Sequence, residues 1–259
     1  MSEVREENLQ DSSDAVQISC QSIAADCSEA IPRNRLVGAG ASAFALSYLL
    51  WPLLVGLLAH FKLLEPGLLI AAGPLAGMVY LLLMVRHIAN GSWVQAGKLL
   101  DLAPVNGKML YWMLPLAVIA AIITAAVTLG WGMLLSSWNL EPEMPGTVEV
   151  ITCGGTWQVA IFCCSALLAA PLFEEVLFRK LFFEFFAGAV GKIAAAGVTA
   201  LIFAAMHLSL LQMPGLMMLA LLWQRCFLRS RNLTVPVLLH FFNNVLAAAL
   251  LLTARYVGW

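Results

Sequence analysis

Two adjacent carboxylates, Glu174 and Glu175, interrupt a strongly apolar stretch of the sequence, and Arg179 follows the second of them by four residues. On a helix, Glu175 and Arg179 lie one turn apart in the order that favours an ion pair. Glu174 points about 100° away and has no such partner in its own helix. A poorly solvated, unpaired carboxylate suits general acid or base catalysis. The structural alternative is that all three charges face water at a helix end.

Two further groups of polar side chains occur in apolar segments downstream. Phe203 and His207 are four residues apart and share a helix face, although a single histidine is also a common packing residue. His240 and Asn244 are likewise one turn apart, with Asn243 beside them. Such donors suit the stabilisation of an oxyanion, or alternatively a polar clasp between helices. Ionisable groups inside a membrane cost about 2.5–3.5 kcal/mol each on insertion, which makes them candidates for function.

The spacing of these groups predicts that they meet at one depth. Thirty-three residues separate Glu174 from His207, and a turn at Gly188–Gly191 lies about halfway between them. Two antiparallel helical arms of equal length would bring both residues to one level, roughly 20–25 Å from the turn. His240 and Asn244 reach a similar depth in the last apolar segment. We therefore predict a buried active site near the middle of a membrane.

The elements that must hold these residues are membrane helices. The 259-residue chain is 61% hydrophobic and 11% charged, which is far from the composition of a soluble domain. A net charge of −1 gives no reason to expect nucleic-acid binding. The composition predicts an all-α, polytopic membrane helical bundle with about seven transmembrane helices of about 20 residues each. The apolar segments lie at approximately 36–59, 66–85, 109–135, 157–176, 190–209, 213–229 and 234–252.

The flanking segments predict the organisation and orientation of the chain. Residues 1–35 are polar and acidic and are predicted to be a disordered tail, followed by a transmembrane domain at 36–259 with its catalytic core at about 157–252. The sequence FRKLFFEFF after the fourth segment either continues that helix or lies along the interface. Twelve of the fourteen Lys and Arg residues fall on the side of the N-terminus, which predicts that this side is cytoplasmic.

Three ordered motifs now resemble those of a known family. The chain is similar to the CPBP family, which contains CAAX prenyl endopeptidases of the Ras-converting type, the ABI (abortive-infection) proteins, and bacterial bacteriocin-processing and immunity proteins. The resemblance covers about 171–244 and rests on Glu174-Glu175-x-x-x-Arg179, Phe203-x-x-x-His207 and His240-x-x-x-Asn244. The amino-terminal half has no family motif.

The resemblance implies an intramembrane endopeptidase of the glutamic type that uses no metal and no cofactor. By position in the motifs, Glu174 would activate water, His207 would help to orient it, and His240 with Asn244 would stabilise the oxyanion. The remaining residues would support the site: Glu175, Arg179, Phe203 and Asn243. The substrate would be a membrane protein or peptide within the lipid bilayer, and the composition is typical of a bacterial inner-membrane protein.

Three other functions remain open from the sequence. A bacteriocin-immunity or other binding protein would keep its protective effect after Glu174→Ala. A proton-coupled transporter would use Glu174, His207 and His240 as a relay and would give electrogenic flux, but the chain has no internal repeat of the kind common in transporters. A zinc enzyme would use the same three residues as ligands, although the HExxH motif is absent.

Overall fold

The computed structural model describes residues 33–61, 66–142 and 145–257, with side chains described except at 33, 59 and 66–72. The described residues contain nine helices and no strand. The helices are α1 (33–60), α2 (Pro66–Ile88), α3 (Trp93–Leu99), α4 (Gly107–Ser137), α5 (Gly146–Cys153), α6 (Thr156–Val190), α7 (Lys192–Ala205), α8 (Met213–Ser230) and α9 (Thr234–Val257). All but the last three residues of the predicted tail, 1–35, lie outside this description.

The predicted all-α membrane class is confirmed, but the predicted number of seven spans is not. Each of the seven apolar segments overlaps one of the nine described helices. In the described part of the chain, four helices are long and apolar enough to cross a membrane: Asn34–Leu58 within α1, α4, α6 and α9. α7 and the described apolar part of α2, Gly73–Ile88, are shorter. The short helices α3 and α5 were not predicted.

α6 is longer than the predicted fourth span. It runs from Thr156 to Val190, so the aromatic and charged sequence FRKLFFEFF continues the helix. Phe173, Leu177 and Phe178 of this helix are fully buried in the larger of two apolar clusters. α6 ends before Gly191, whose φ of +82° is readily adopted only by glycine. This glycine turns the chain into α7, which packs back along the end of α6, as predicted.

Three π-helical segments interrupt the long helices of the described chain, and the first two each precede a proline. They occupy Leu46–Leu50 in α1, and Ser165–Ala169 and Val176–Phe182 in α6. In the first two, the first residue after the turn donates its backbone N–H to the carbonyl oxygen five residues back, and the next residue is Pro52 or Pro171. Proline has no N–H to donate, so the regular ladder cannot continue there. π turns of this kind often occur at functional sites.

Close approach of α1 and α2 brings the first π turn against α6. Ser47 Oγ donates to the carbonyl oxygen of Gly73 at 3.2 Å. One turn along α2, a Cβ atom at Gly77 would overlap Ser47 Oγ and lie 2.8 Å from the Phe173 ring. Small residues four apart allow two membrane helices to pack backbone against backbone. The glycines therefore place the residues around Ser47 beside the middle of α6.

Polar contacts group the helix ends as the predicted topology does. Lys180 Nζ lies 2.6 Å from Asp101 Oδ2, and Asn232 Nδ2 donates to the Ala103 carbonyl oxygen at 3.0 Å. These four residues belong to segments predicted on the cytoplasmic side. Arg255, predicted on the opposite side, donates to two carbonyl oxygens at the end of α5, at 2.8 Å each. These contacts therefore join helix ends that the sequence predicted to lie on the same side of the membrane.

Candidate active site

The three charges of α6 lie inside the protein. Glu174 is 7% exposed, Glu175 is 0% exposed and Arg179 is 1% exposed. The alternative in which these side chains face water at a helix end is therefore wrong. Isolated charges are costly to bury, so each must be compensated by a partner.

Glu175 and Arg179 form the ion pair expected from their spacing. Arg179 Nη2 donates to Glu175 Oε1 at 3.2 Å, and Arg179 Nε lies 3.0 Å from Oε2 without pointing its hydrogen at that oxygen. The guanidinium carbon also lies 4.7 Å from the centre of the Phe203 ring, within the range of a cation–π contact. Phe203 thus covers the side of the cation that its carboxylate partner leaves open.

His240 reaches from α9 to both carboxylates. Its Nδ1 lies 2.9 Å from Glu175 Oε1, and its Nε2 faces Glu174 Oε2 at 3.9 Å. Because an ionised carboxylate only accepts, the proton of this hydrogen bond lies on Nδ1. The contact leaves Nε2 directed at Glu174. Glu175 thereby acts as a common anchor for Arg179 and His240.

Glu174 has a partner that the sequence did not reveal. The hydroxyl of Tyr48, in the first π turn of α1, donates to Glu174 Oε1 at 3.1 Å. Glu174 is therefore not the wholly unpaired carboxylate expected from its own helix. The available signal was a phenol inside an apolar segment, but no spacing rule connects residue 48 with residue 174.

His207 lies in a turn beyond the end of α7, which corrects the predicted span 190–209. The helix ends at Ala205, and Leu208 has a left-handed φ of +50°. His207 Nδ1 lies 2.8 Å from the Phe203 carbonyl oxygen, which only accepts, so this contact fixes the proton on Nδ1. A histidine that bonds the last carbonyls of a helix stabilises the helix end.

The Phe203 ring joins His207 to the other site residues. The ring centroids of Phe203 and His207 are 4.8 Å apart, and those of Phe203 and His240 are 6.1 Å apart. The same ring packs against Arg179, as described above. The structure therefore gathers the three motifs around one phenylalanine.

Asn244 bonds the backbone of α6. Its Nδ2 donates to the Ala166 carbonyl oxygen at 2.8 Å. That oxygen lies in the second π turn, where the N–H of Ala170 is used five residues back and Pro171 has none. The Asn244 side chain thus donates to the Ala166 carbonyl oxygen in place of the backbone N–H that Pro171 lacks. The second N–H of the Asn244 amide is left for other partners. Asn243 is half-buried and makes no hydrogen bond among the described residues, so nothing joins it to the cluster.

The cluster brings two carboxylates, one guanidinium and one imidazole together in the protein interior. His240 Nε2 and Glu174 Oε2 face each other at 3.9 Å, which is beyond hydrogen-bond distance. For the zinc alternative, no three His, Cys, Asp or Glu side chains in the described ranges are arranged to hold a metal ion.

Comparison with known proteins adds one match. Residues 156–246 match the family model described as type II CAAX prenyl endopeptidase, Rce1-like. The match includes every motif residue from Glu174 to Asn244 and confirms the resemblance suggested by the sequence. It leaves out the first 155 residues, including Tyr48. No curated protein and no solved structure matches the chain.

Proposed function

We propose that the protein is an intramembrane endopeptidase with a glutamate as its general base, starting from the match of residues 156–246 to the Rce1-like model of type II CAAX prenyl endopeptidases. The observation that carries the proposal is the division of labour between two adjacent carboxylates. Glu175 is held by Arg179 and His240, whereas Glu174 presents Oε2 to His240 Nε2 at 3.9 Å. This difference between the two carboxylates supports Glu174, rather than Glu175, as the base.

In the proposed reaction, Glu174 removes a proton from a water molecule, and the water oxygen attacks the carbonyl carbon of the scissile peptide bond. The carbonyl π electrons move to its oxygen, and the resulting oxyanion accepts a hydrogen bond from protonated His240 Nε2. When the tetrahedral intermediate collapses, the C–N bond breaks and Glu174 returns the proton to the leaving amine. A general base of this kind contributes about 10²–10⁴-fold to the rate.

The other two motif residues assist this reaction. Because His207 carries its proton on Nδ1, its neutral ring has the lone pair on Nε2, which suits it to accept a hydrogen bond from the attacking water. Asn244 has one amide N–H beyond the one that bonds Ala166, and that N–H is the atom available for the oxyanion. The first N–H keeps α9 and α6 in register around the site.

The protein acts on membrane-associated substrates, and we propose that they are proteins or peptides cleaved within or beside the bilayer. To test this, membrane proteins from cells with the wild-type chain would be compared with those from cells with Glu174→Gln. New protein N-termini are expected only with the wild type. Glu149→Gln makes the same chemical change at an exposed position and serves as the matched control.

Two results would favour another function. If Glu174→Gln cells have the same N-termini as the wild type and keep a protective effect against a bacteriocin, the chain is a binding protein. If the purified protein loses activity in strong chelators and regains it with zinc, the chain is a metal enzyme. Activity that persists in chelators agrees with a carboxylate base.

We also propose that this integral membrane protein lies in a bacterial inner membrane with its N-terminus in the cytoplasm. The support is the strong bias of Lys and Arg to one set of loops. A reporter inserted at Asn90, an exposed turn after α2, is expected to read as cytoplasmic. With an odd number of spans, a reporter fused after Trp259 is expected to read as exported. The reverse pattern would contradict the orientation, and two cytoplasmic reporters would contradict the odd number.

A further inference from the structure

We infer that Tyr48 is a positioning residue for the proposed reaction: its hydroxyl holds Glu174 so that the other carboxylate oxygen faces the chemistry. This inference rests on the proposed function. It concerns a residue outside the segment that matches the family, so it is specific to the way in which this chain builds its site.

The contact distinguishes the two oxygens of Glu174. Tyr48 Oη donates to Oε1 at 3.1 Å, whereas Oε2 is the oxygen that lies 3.9 Å from His240 Nε2. A carboxylate without this contact can rotate and exchange its two oxygens. The hydrogen bond from Tyr48 opposes that rotation and keeps Oε2 directed at His240. A correctly oriented base is one of the main sources of catalytic rate.

The Tyr48 ring packs against two other aromatic rings. It stacks on Phe173, the residue before Glu174, with ring centroids 6.0 Å apart and an angle of 21° between the planes. Phe44, one turn earlier in α1, lies 5.2 Å away on the same centroid measure. Among the described residues, the hydroxyl forms a hydrogen bond with Glu174 alone. The phenol is therefore held by apolar packing and directed at a single acceptor.

The backbone around Tyr48 is adapted to this arrangement. In a regular α-helix, the carbonyl oxygen of Tyr48 would accept from the residue four positions later, and that residue is Pro52. The π turn Leu46–Leu50 is the local solution. Ser47, next to Tyr48, is tied to the Gly73 carbonyl oxygen. The backbone at Tyr48, the residue that donates to Glu174, is thus shaped by Pro52, by the π turn and by the contact of Ser47 with Gly73.

The main variant is Tyr48→Phe, which keeps the stacked ring and removes only the hydroxyl. Using a cleavable peptide substrate, we expect kcat to fall by about 10- to 100-fold, the loss typical of one hydrogen bond to a charged group. KM and the melting temperature are expected to stay near their wild-type values, because the ring and the substrate contacts are unchanged. Tyr48→para-aminophenylalanine, which restores a donor at the same position, is expected to recover most of kcat.

Tyr80→Phe is the matched control. Its hydroxyl donates to Ser42 Oγ at 3.1 Å, so this variant also removes a tyrosine hydrogen bond to α1, but away from the site. We expect no change in kcat. If kcat falls equally in both variants, Tyr48 is a structural residue and the inference is overturned. The same holds if the fall of kcat in Tyr48→Phe is accompanied by a matching fall of its melting temperature.

Infrared spectroscopy separates this inference from the proposed function. The carboxylate band of Glu174 is the difference between the spectra of the wild type and Glu174→Gln, and it is measured without turnover. Tyr48→Phe is expected to shift this band, and Tyr80→Phe is not. An unshifted band overturns the inference whether or not the protein cleaves peptides. A shifted band in a protein whose cleavage is independent of Glu174 overturns the proposed function, and with it the catalytic purpose of the contact.

Discussion

Glu174→Gln is expected to abolish peptide hydrolysis while the protein folds at nearly wild-type yield. Glutamine keeps the size of the side chain, and its carbonyl oxygen still accepts the hydrogen bond from Tyr48, but it takes up no proton from water. Loss of a general base lowers the rate by about 10²–10⁴-fold. The measurement is turnover of a peptide by the purified variant, together with its thermal unfolding in the same detergent.

Glu184, the third glutamate of the same helix, provides the control. Glu184 Oε1 lies 2.7 Å from Lys180 Nζ, and Glu184→Gln leaves Lys180 its other partner, Asp101. Activity is expected to persist in that variant. If Glu174→Gln cleaves normally while Glu175→Gln is folded and inactive, the base is Glu175, and the assignment of the two carboxylates is reversed.

Glu175→Gln is expected to lower both the folded yield and the activity. The substitution leaves Arg179, which is 1% exposed, without a counter-charge and removes the anionic acceptor of His240 Nδ1. Removing one partner of a buried ion pair destabilises a protein by about 3–5 kcal/mol. The expected result is a clear fall in the melting temperature, unlike that of Glu174→Gln.

Arg179→Met in the Glu175→Gln background tests this explanation. Both charges are then absent, and replacing a buried pair by apolar side chains is often tolerated. Folded yield is expected to recover in part, while activity stays low because the anchor of His240 is still missing. Thermal unfolding of the single and double variants measures the recovery. A Glu175→Gln protein as stable as the wild type would show that the pair does not hold the site together.

The parts of the site that were predictable depend on short-range rules. The pairing of Glu175 with Arg179 follows from one helical turn, and the packing of Phe203 near His207 follows from the same spacing. Gly191 was identified in the predicted turn because glycine readily reverses a chain. Because the two helical arms on either side of this turn have equal lengths, Glu174 and His207 were predicted to lie at the same depth from their positions in the sequence alone.

The parts that were not predictable depend on contacts between distant segments. Tyr48 and Glu174 are separated by 126 residues, and no periodicity reports such a pair. The bond between Asn244 and Ala166 becomes understandable only when the hydrogen bonding of the π turn is known. The position of His207 just beyond α7, where its side chain contacts the Phe203 carbonyl oxygen, has no signal in the residue spacing. Helix phase was also unpredictable, since a π turn shifts the faces after it.

The two π turns that precede Pro52 and Pro171 also have a consequence for the evolution of such a chain. A π turn contains about one residue more than the α-helical turn it replaces, so it is equivalent to a one-residue insertion absorbed within a helix. Loss of a single codon at 46–50 or 165–169 would therefore remove the extra residue and leave the two halves of the helix on the same faces, whereas a further insertion would rotate one half by about 100° relative to the other half. In α6, such an insertion would turn Glu174 away from the site in one step.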